Sequence, residues 1–102
     1  MSTIYRPQTS IKMNEFIAEF LGSLVFIFVI LETGSAYATG AALVLVIFLT
    51  TTSSGGHINP AVTLTMTAAG KLPMSKAGYY ILAQVLGGLS ALAIYKMIPK
   101  KQ

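Results

Sequence analysis

The sequence has 102 residues, 54% of them hydrophobic and 10% charged, with a formal charge of +4 and no cysteine. Mean hydropathy is +0.70, whereas an ordinary soluble domain carries about 25% charged residues and one this small buries only about 60% of the surface it exposes unfolded. A small soluble enzyme is therefore excluded, as are disulfides and thiol chemistry, and the composition is that of a chain embedded in lipid.

Residues 1–13 read as a polar tail containing Arg6, Pro7 and Lys12. A first apolar segment runs from about Asn14 to Thr33, a second from about Ala36 to Thr52, and a third from about Lys76 to Ile98. About 20 helical residues cross a hydrocarbon core of about 30 Å, so the first and third segments are long enough and the second is short but workable. The β-branched content of the second segment does not argue for a strand, because an isolated strand cannot satisfy its backbone in lipid. A basic N-terminus, an apolar run and Ala36-Tyr37-Ala38 together mimic a cleavable leader. Glu15 and Glu19, at the start of the apolar region, argue against that reading.

Between the second and third spans, Ser53 to Pro60 is a breaker-rich loop, and Ala61 to Ala69 is a helical, mostly apolar run closed by Gly70 and Pro73. That run is too short to span and suggests a re-entrant half-helix. The expected fold is an all-α membrane protein: three transmembrane helices plus one re-entrant half-helix over residues 14–98, with a basic tail at 99–102. The basic residues Arg6, Lys12, Lys71, Lys76, Lys96, Lys100 and Lys101 lie outside the apolar stretches or at their ends, where headgroups are met. They form no patch with interleaved aromatics, which argues against a nucleic-acid partner.

Asn59-Pro60 is a helix start, with Asn at N-cap and Pro at N1. The Asn59 oxygen would accept from the N–H of Ala61 or Val62, leaving its amide NH2 with two donors beyond the helix end. The positive end of the half-helix dipole lies at the same point. In mid-membrane this makes a fixed donor that bonds water or a hydroxyl and repels cations. Alone, an Asn-Pro pair reads more simply as the cap of a surface loop. Small residues spaced by four, Ala18 and Gly22 on the first helix and Ala83, Gly87 and Ala91 on the last, would let helices approach closely. Tyr79, Tyr80 and Tyr95 are candidate interface anchors, Glu15 an interfacial acid and Glu32 a surface residue near the far end of the first helix.

The stretch Ser54-Gly55-Gly56-His57-Ile58-Asn59-Pro60-Ala61-Val62-Thr63 resembles the first Asn-Pro-Ala loop of the major intrinsic protein family, the aquaporins and glycerol facilitators. Ala18-Glu19-Phe20-Leu21-Gly22-Ser23 is similar to the family's first helix, Gly34-Ser35-Ala36 to its end, and Tyr80 to Gly88 to its third helix, in the family's order. The resemblance implies a channel in which Asn59, Pro60 and Ala61 form the pore motif. It implies also that Glu19 accepts bonds from the loop backbone and that His57 and Gln84 brace the loop. Members normally carry two such halves, related by an axis in the membrane plane, and this sequence has one Asn-Pro-Ala.

The positions matching the family's filter are Thr39, Ile47, Gly56 and Val62; at those matching Thr39 and Val62 conducting relatives normally place an aromatic and an arginine. Their loss suggests a wider, less selective path or none. Basic residues are divided four against three between the two sides of a three-span chain, the weak bias of a protein able to insert both ways. The expected function is thus a channel for water or small neutral solutes assembled from half-size subunits, as an antiparallel homodimer or a larger homo-oligomer in the lipid bilayer. The alternative is a non-conducting structural membrane protein that keeps the half-fold. No nucleophile–base pair, metal-ligand cluster or phosphate loop is present in the sequence, so neither catalysis nor a cofactor or metal is expected.

Overall fold

A computed structural model describes residues 13–100. Most of the expected polar tail, with Arg6 and Lys12, and the end of the basic C-terminal tail, Lys101 and Gln102, lie outside the described residues.

Helix α1 (Glu15–Thr33) starts at Asn14, whose side-chain oxygen accepts from the N–H of Phe16 at 2.7 Å and of Ile17 at 3.3 Å. Glu15 occupies the first turn, where the helix dipole favours an acid, and Gly34 ends the helix in the left-handed conformation. Ser35 then caps α2 (Ala36–Ser54) by accepting from the Ala38 N–H at 3.2 Å, and Gly55 closes it at φ +90°. This helix runs past the expected end near Thr52. Ser53 accepts from the Met13 N–H at 2.7 Å and Ser54 donates to Glu19 at 2.6 Å, so both hydroxyls find tertiary partners, and Ser54 Oγ also lies 3.4 Å from the Thr50 carbonyl one turn back.

The short helix α3 (Pro60–Ala68) ends in a Schellman motif. Lys71 N–H reaches the Met66 carbonyl at 2.8 Å, Gly70 N–H reaches that of Thr67 at 3.1 Å, and Gly70 takes φ +77°. Helix α4 (Met74–Met97) begins directly after Pro73, about two residues before the expected start, because Pro73 already holds a φ of −59° that leads into a helix.

Helices α1, α2 and α4, of 19, 19 and 24 residues, are long and apolar enough to cross a membrane. With nine residues, α3 reaches only about 14 Å, roughly half the hydrocarbon core. Val44, Leu45, Phe48 and Leu89 are exposed; facing lipid, such a surface is ordinary rather than a liability.

Helix α1 is central, packing on both α4 and α2, while α3 packs on α4. The α1–α4 contact is built on absent side chains. A Cβ at Gly87 would lie 2.4 Å from the Phe20 carbonyl oxygen, and Ala18, Ala83 and Ala91 are fully buried. Gly22 makes room for something else: a Cβ there would meet Ile58 Cδ1 at 2.6 Å, so its space holds the loop before α3.

Tyr80 is not an interface anchor. It is 1% exposed and its hydroxyl donates to the Ser54 carbonyl at 2.7 Å, satisfying a terminal carbonyl of α2 that has no helical partner. Tyr79 sits at the edge instead, donating to Glu15 at 2.7 Å and stacked on Phe16, while Lys76 pairs with the same carboxylate at 2.9 Å. At the other end of α4, Lys100 Nζ lies 3.4 Å above the Tyr95 ring, and Glu32 is exposed near the end of α1.

Candidate functional site

The loop between α2 and α3 runs against the chain's ordinary backbone preferences. Gly55, Gly56 and Ile58 all have positive φ, +90°, +67° and +61°. Glycine takes such values freely, but a β-branched residue does so at a cost of about 1–3 kcal/mol. At Gly56 a Cβ would lie 3.2 Å from the Ile47 carbonyl, so here the loop backbone itself touches α2.

Glu19, fully buried on α1, holds this conformation. One carboxylate oxygen accepts from Ser54 Oγ at 2.6 Å and from the His57 N–H at 3.0 Å. The other accepts from the Ile58 N–H at 2.8 Å and from Gln84 Nε2 at 2.9 Å. Two successive backbone N–H groups thus converge on one anion, the arrangement of an anion-binding nest. A buried carboxylate without partners would cost several kcal/mol. Each bond to the charged group returns about 1.5–3 kcal/mol, enough together to offset both the burial and the strain at Ile58. The Ile58 carbonyl is held from α1 as well, by Ser23 Oγ at 3.4 Å.

The same network seats α3. Gln84 Nε2 also donates to Thr63 Oγ1 at 2.9 Å, and His57 Nδ1 lies 2.8 Å from that hydroxyl. The His57 ring rests on Tyr80 with centroids 5.0 Å apart. Ser54, Thr63 and Tyr80 therefore belong to the site, although the sequence reading assigns them no part in it. Thr63 had one available signal, its place four residues after Asn59 and hence one helical turn along α3.

Asn59 lies at the tip. Its side-chain oxygen caps α3 by accepting from the Ala61 N–H at 2.6 Å and makes no bond to Val62. Pro60 stands at N1, where its missing N–H leaves nothing unsatisfied. The Asn59 amide NH2 makes no hydrogen bond among the described residues, and Asn59, Pro60 and Ala61 are exposed.

Asn59 lines a cavity of about 220 Å³ with Ile47, Gly56 and Val62, and Phe26, Leu43, His57 and Ile58 complete its wall. Three of the four candidate constriction residues thus come together beside the amide. Thr39 does not line this cavity; eight residues before Ile47 on α2, it lies about 12 Å further along the helix. Among the described residues, no Lys or Arg lines the cavity. Among the described residues no three His, Cys, Asp or Glu side chains cluster as metal ligands.

A family model described as major intrinsic protein matches residues 30–102. The chain is 35% identical over 105 aligned residues to the probable aquaporin PIP2-6 of Oryza sativa subsp. japonica, an alignment covering 84% of this chain and 37% of that protein. It is 35% identical over 105 residues to aquaporin PIP2-7 of Musa acuminata, with the same coverage. To aquaporin PIP1-1 of Arabidopsis thaliana it is 33% identical over 103 residues, 84% of this chain and 36% of that protein. The chain thus spans a little over a third of the length of these curated relatives. With three helices long and apolar enough to cross a membrane, and with this family match and these identities, the chain is a multi-pass integral membrane protein and belongs to the major intrinsic protein family.

Proposed function

We propose that this chain is a subunit of a membrane channel for water or small neutral solutes, with Asn59 at the narrow part of the path. The observation that carries this reading is the Asn59 amide: capped into place through its oxygen at 2.6 Å, with both N–H donors unbonded among the described residues. The N-terminus of α3 adds partial positive charge at the same point. A passing water or hydroxyl gains a hydrogen bond there, while a cation meets a positive field. Glu19, His57, Gln84 and Thr63 serve this function by holding the tip rigid. Ile47, Gly56 and Val62 line the path beside it.

The wall opposite Asn59 is supplied by a second Asn-Pro-Ala half. We assign this role to another copy in the opposite orientation, so that two Asn59 side chains face each other about an axis in the membrane plane, as an inverted repeat does. Larger assemblies of such pairs follow by analogy with the family. With Val62 in the wall and no fixed cation, the path suits solutes wider than water as well as water itself.

Osmotic shrinkage of proteoliposomes, followed by light scattering, tests the function. Water or glycerol flux above that of empty vesicles is expected. Folded, inserted protein that conducts neither would leave the non-conducting, structural reading. Single cysteines labelled from each membrane face test the assembly, with both orientations expected and one uniform orientation contradicting the antiparallel pair.

A further inference from the structure

The network behind Asn59 contains a choice that donor–acceptor counting decides. Gln84 Nε2 lies 2.9 Å from a Glu19 oxygen and 2.9 Å from Thr63 Oγ1. Turning the amide over would set its carbonyl oxygen against the carboxylate, so the nitrogen occupies this position and both of its protons are used. Its Oε1 stays buried without a partner among the described residues. Thr63 Oγ1 is therefore an acceptor toward Gln84.

Thr63 is fully buried and has a single hydroxyl proton. Besides Gln84, its oxygen has one further hydrogen-bonding neighbour among the described residues, His57 Nδ1 at 2.8 Å. If Nδ1 carried the ring proton, the Thr63 proton would have no acceptor. If Nδ1 offers its lone pair, the Thr63 proton is used and every donor in the chain of bonds from Glu19 through Gln84 and Thr63 to His57 Nδ1 has an acceptor. An unmade buried bond disfavours the first arrangement by about five- to a hundred-fold in population.

We infer that Thr63 is a positioning residue that locks His57 as the neutral tautomer protonated at Nε2. The direction of every bond in the relay then descends from the Glu19 carboxylate, so one buried acid fixes both the loop backbone and the orientation of a ring three side chains away. Nε2 lies beside Gly55, where an added Cβ would be 3.6 Å from it, and makes no bond among the described residues. The assignment holds whether or not the chain conducts.

His57 is the sole histidine of the sequence, so its nitrogens can be observed by ¹⁵N NMR of the labelled full chain in lipid or detergent without assignment ambiguity. At about pH 8, above the ordinary histidine range, the proton is expected on the nitrogen coupled to both carbon-bound ring hydrogens, Nε2. Nδ1 is expected to give the shift of an unprotonated ring nitrogen that accepts a hydrogen bond. Thr63→Ser keeps the hydroxyl and retains this pattern. Thr63→Val deletes the donor and moves Nδ1 away from its wild-type shift. A proton on Nδ1 in the wild type, or averaged shifts from both tautomers, overturns the inference, as does an unchanged Nδ1 signal in Thr63→Val. If Thr63→Val does not fold, the wild-type spectrum decides alone, and a normal pattern in a protein without flux separates this inference from the proposed function.

Discussion

Replacing Glu19 by Gln should release the loop from α1 while leaving the three spans in place. The carboxylate accepts four bonds, two from backbone N–H groups, one from Ser54 and one from Gln84. A glutamine offers one carbonyl oxygen, which can serve either pair but not both. Ser54 can reverse its hydroxyl to accept, but a backbone N–H cannot. If the amide oxygen faces Ile58, His57 N–H meets an NH2; if it faces His57, the donors of Ile58 and Gln84 do. Leaving one buried donor unmade costs about 1–3 kcal/mol, and converting the remaining bonds from charged to neutral costs about 1 kcal/mol more. The sum, about 2–4 kcal/mol, equals about 30- to 1,000-fold in a local opening equilibrium. The strain at Ile58, about 1–3 kcal/mol, favours the open loop once its anchor is weakened. Native-state hydrogen exchange reads this directly: the amides of His57 and Ile58 should exchange faster by that factor, while amides in the middle of α1 and α4 keep their rates. Unchanged exchange at His57 and Ile58 would refute the reasoning, because it would mean that the carboxylate does not hold the loop.

Four further substitutions probe separate parts of the account. Gly87→Ala would press a Cβ onto the Phe20 carbonyl and should destabilise the α1–α4 pair by about 2–3 kcal/mol, whereas Gly78→Ala, with nothing within 4 Å, should be neutral or stabilising by up to about 1 kcal/mol; thermal unfolding in detergent compares them. Tyr80→Phe removes the bond to the Ser54 carbonyl at 2.7 Å and should cost about 1–2 kcal/mol in the same assay, and no change would return Tyr80 to a bystander. Val62→Arg places a cation beside Asn59 in the cavity wall and should slow glycerol entry more than water, as measured by paired shrinkage and re-swelling; equal effects on both solutes would show that Val62 does not face the path.

Much of the fold is legible in the sequence because membrane helices announce themselves by length and by punctuation. Asn14, Gly34, Ser35, Gly55, Asn59-Pro60 and Gly70 mark their ends, and each of these residues sits at or beside a helix terminus. The nine-residue length of α3 is likewise readable as a half-span. Which helix touches which is not. Hydropathy has little sidedness in lipid, since faces toward lipid and toward protein are both apolar, so nothing marks α1 as the central helix or Gly22 as the seat of Ile58 rather than of a helix. Tyr80 illustrates the same blindness: beside Tyr79 in sequence, it turns inward to a carbonyl of α2 while Tyr79 turns to Glu15. In the site, Glu19 stands out because an acid inside an apolar span needs a reason, Asn59 because it precedes Pro60 at a helix start, and His57 and Gln84 through the resemblance to the family. Ser54 and Thr63 do not stand out, because hydroxyls on a helix can satisfy themselves on the preceding turn, as Thr50 does with Val46 at 2.7 Å. The positive φ of Ile58 is invisible to any residue preference and follows from Glu19 and Ser23 gripping both sides of that peptide.

The central claim is that the free amide of Asn59 is what a permeating molecule meets. Asn59→Asp keeps the cap oxygen on the Ala61 N–H and the size of the side chain, but replaces the two free donors with a second acceptor and a negative charge. Water flux into proteoliposomes, measured for the wild type and Asn59→Asp at equal protein content, is the direct test. The account predicts that the wild type shrinks faster than empty vesicles and that the substitution removes most of that excess. A wild type that conducts, with Asn59→Asp conducting equally well, would contradict the claim and place the path elsewhere in the protein.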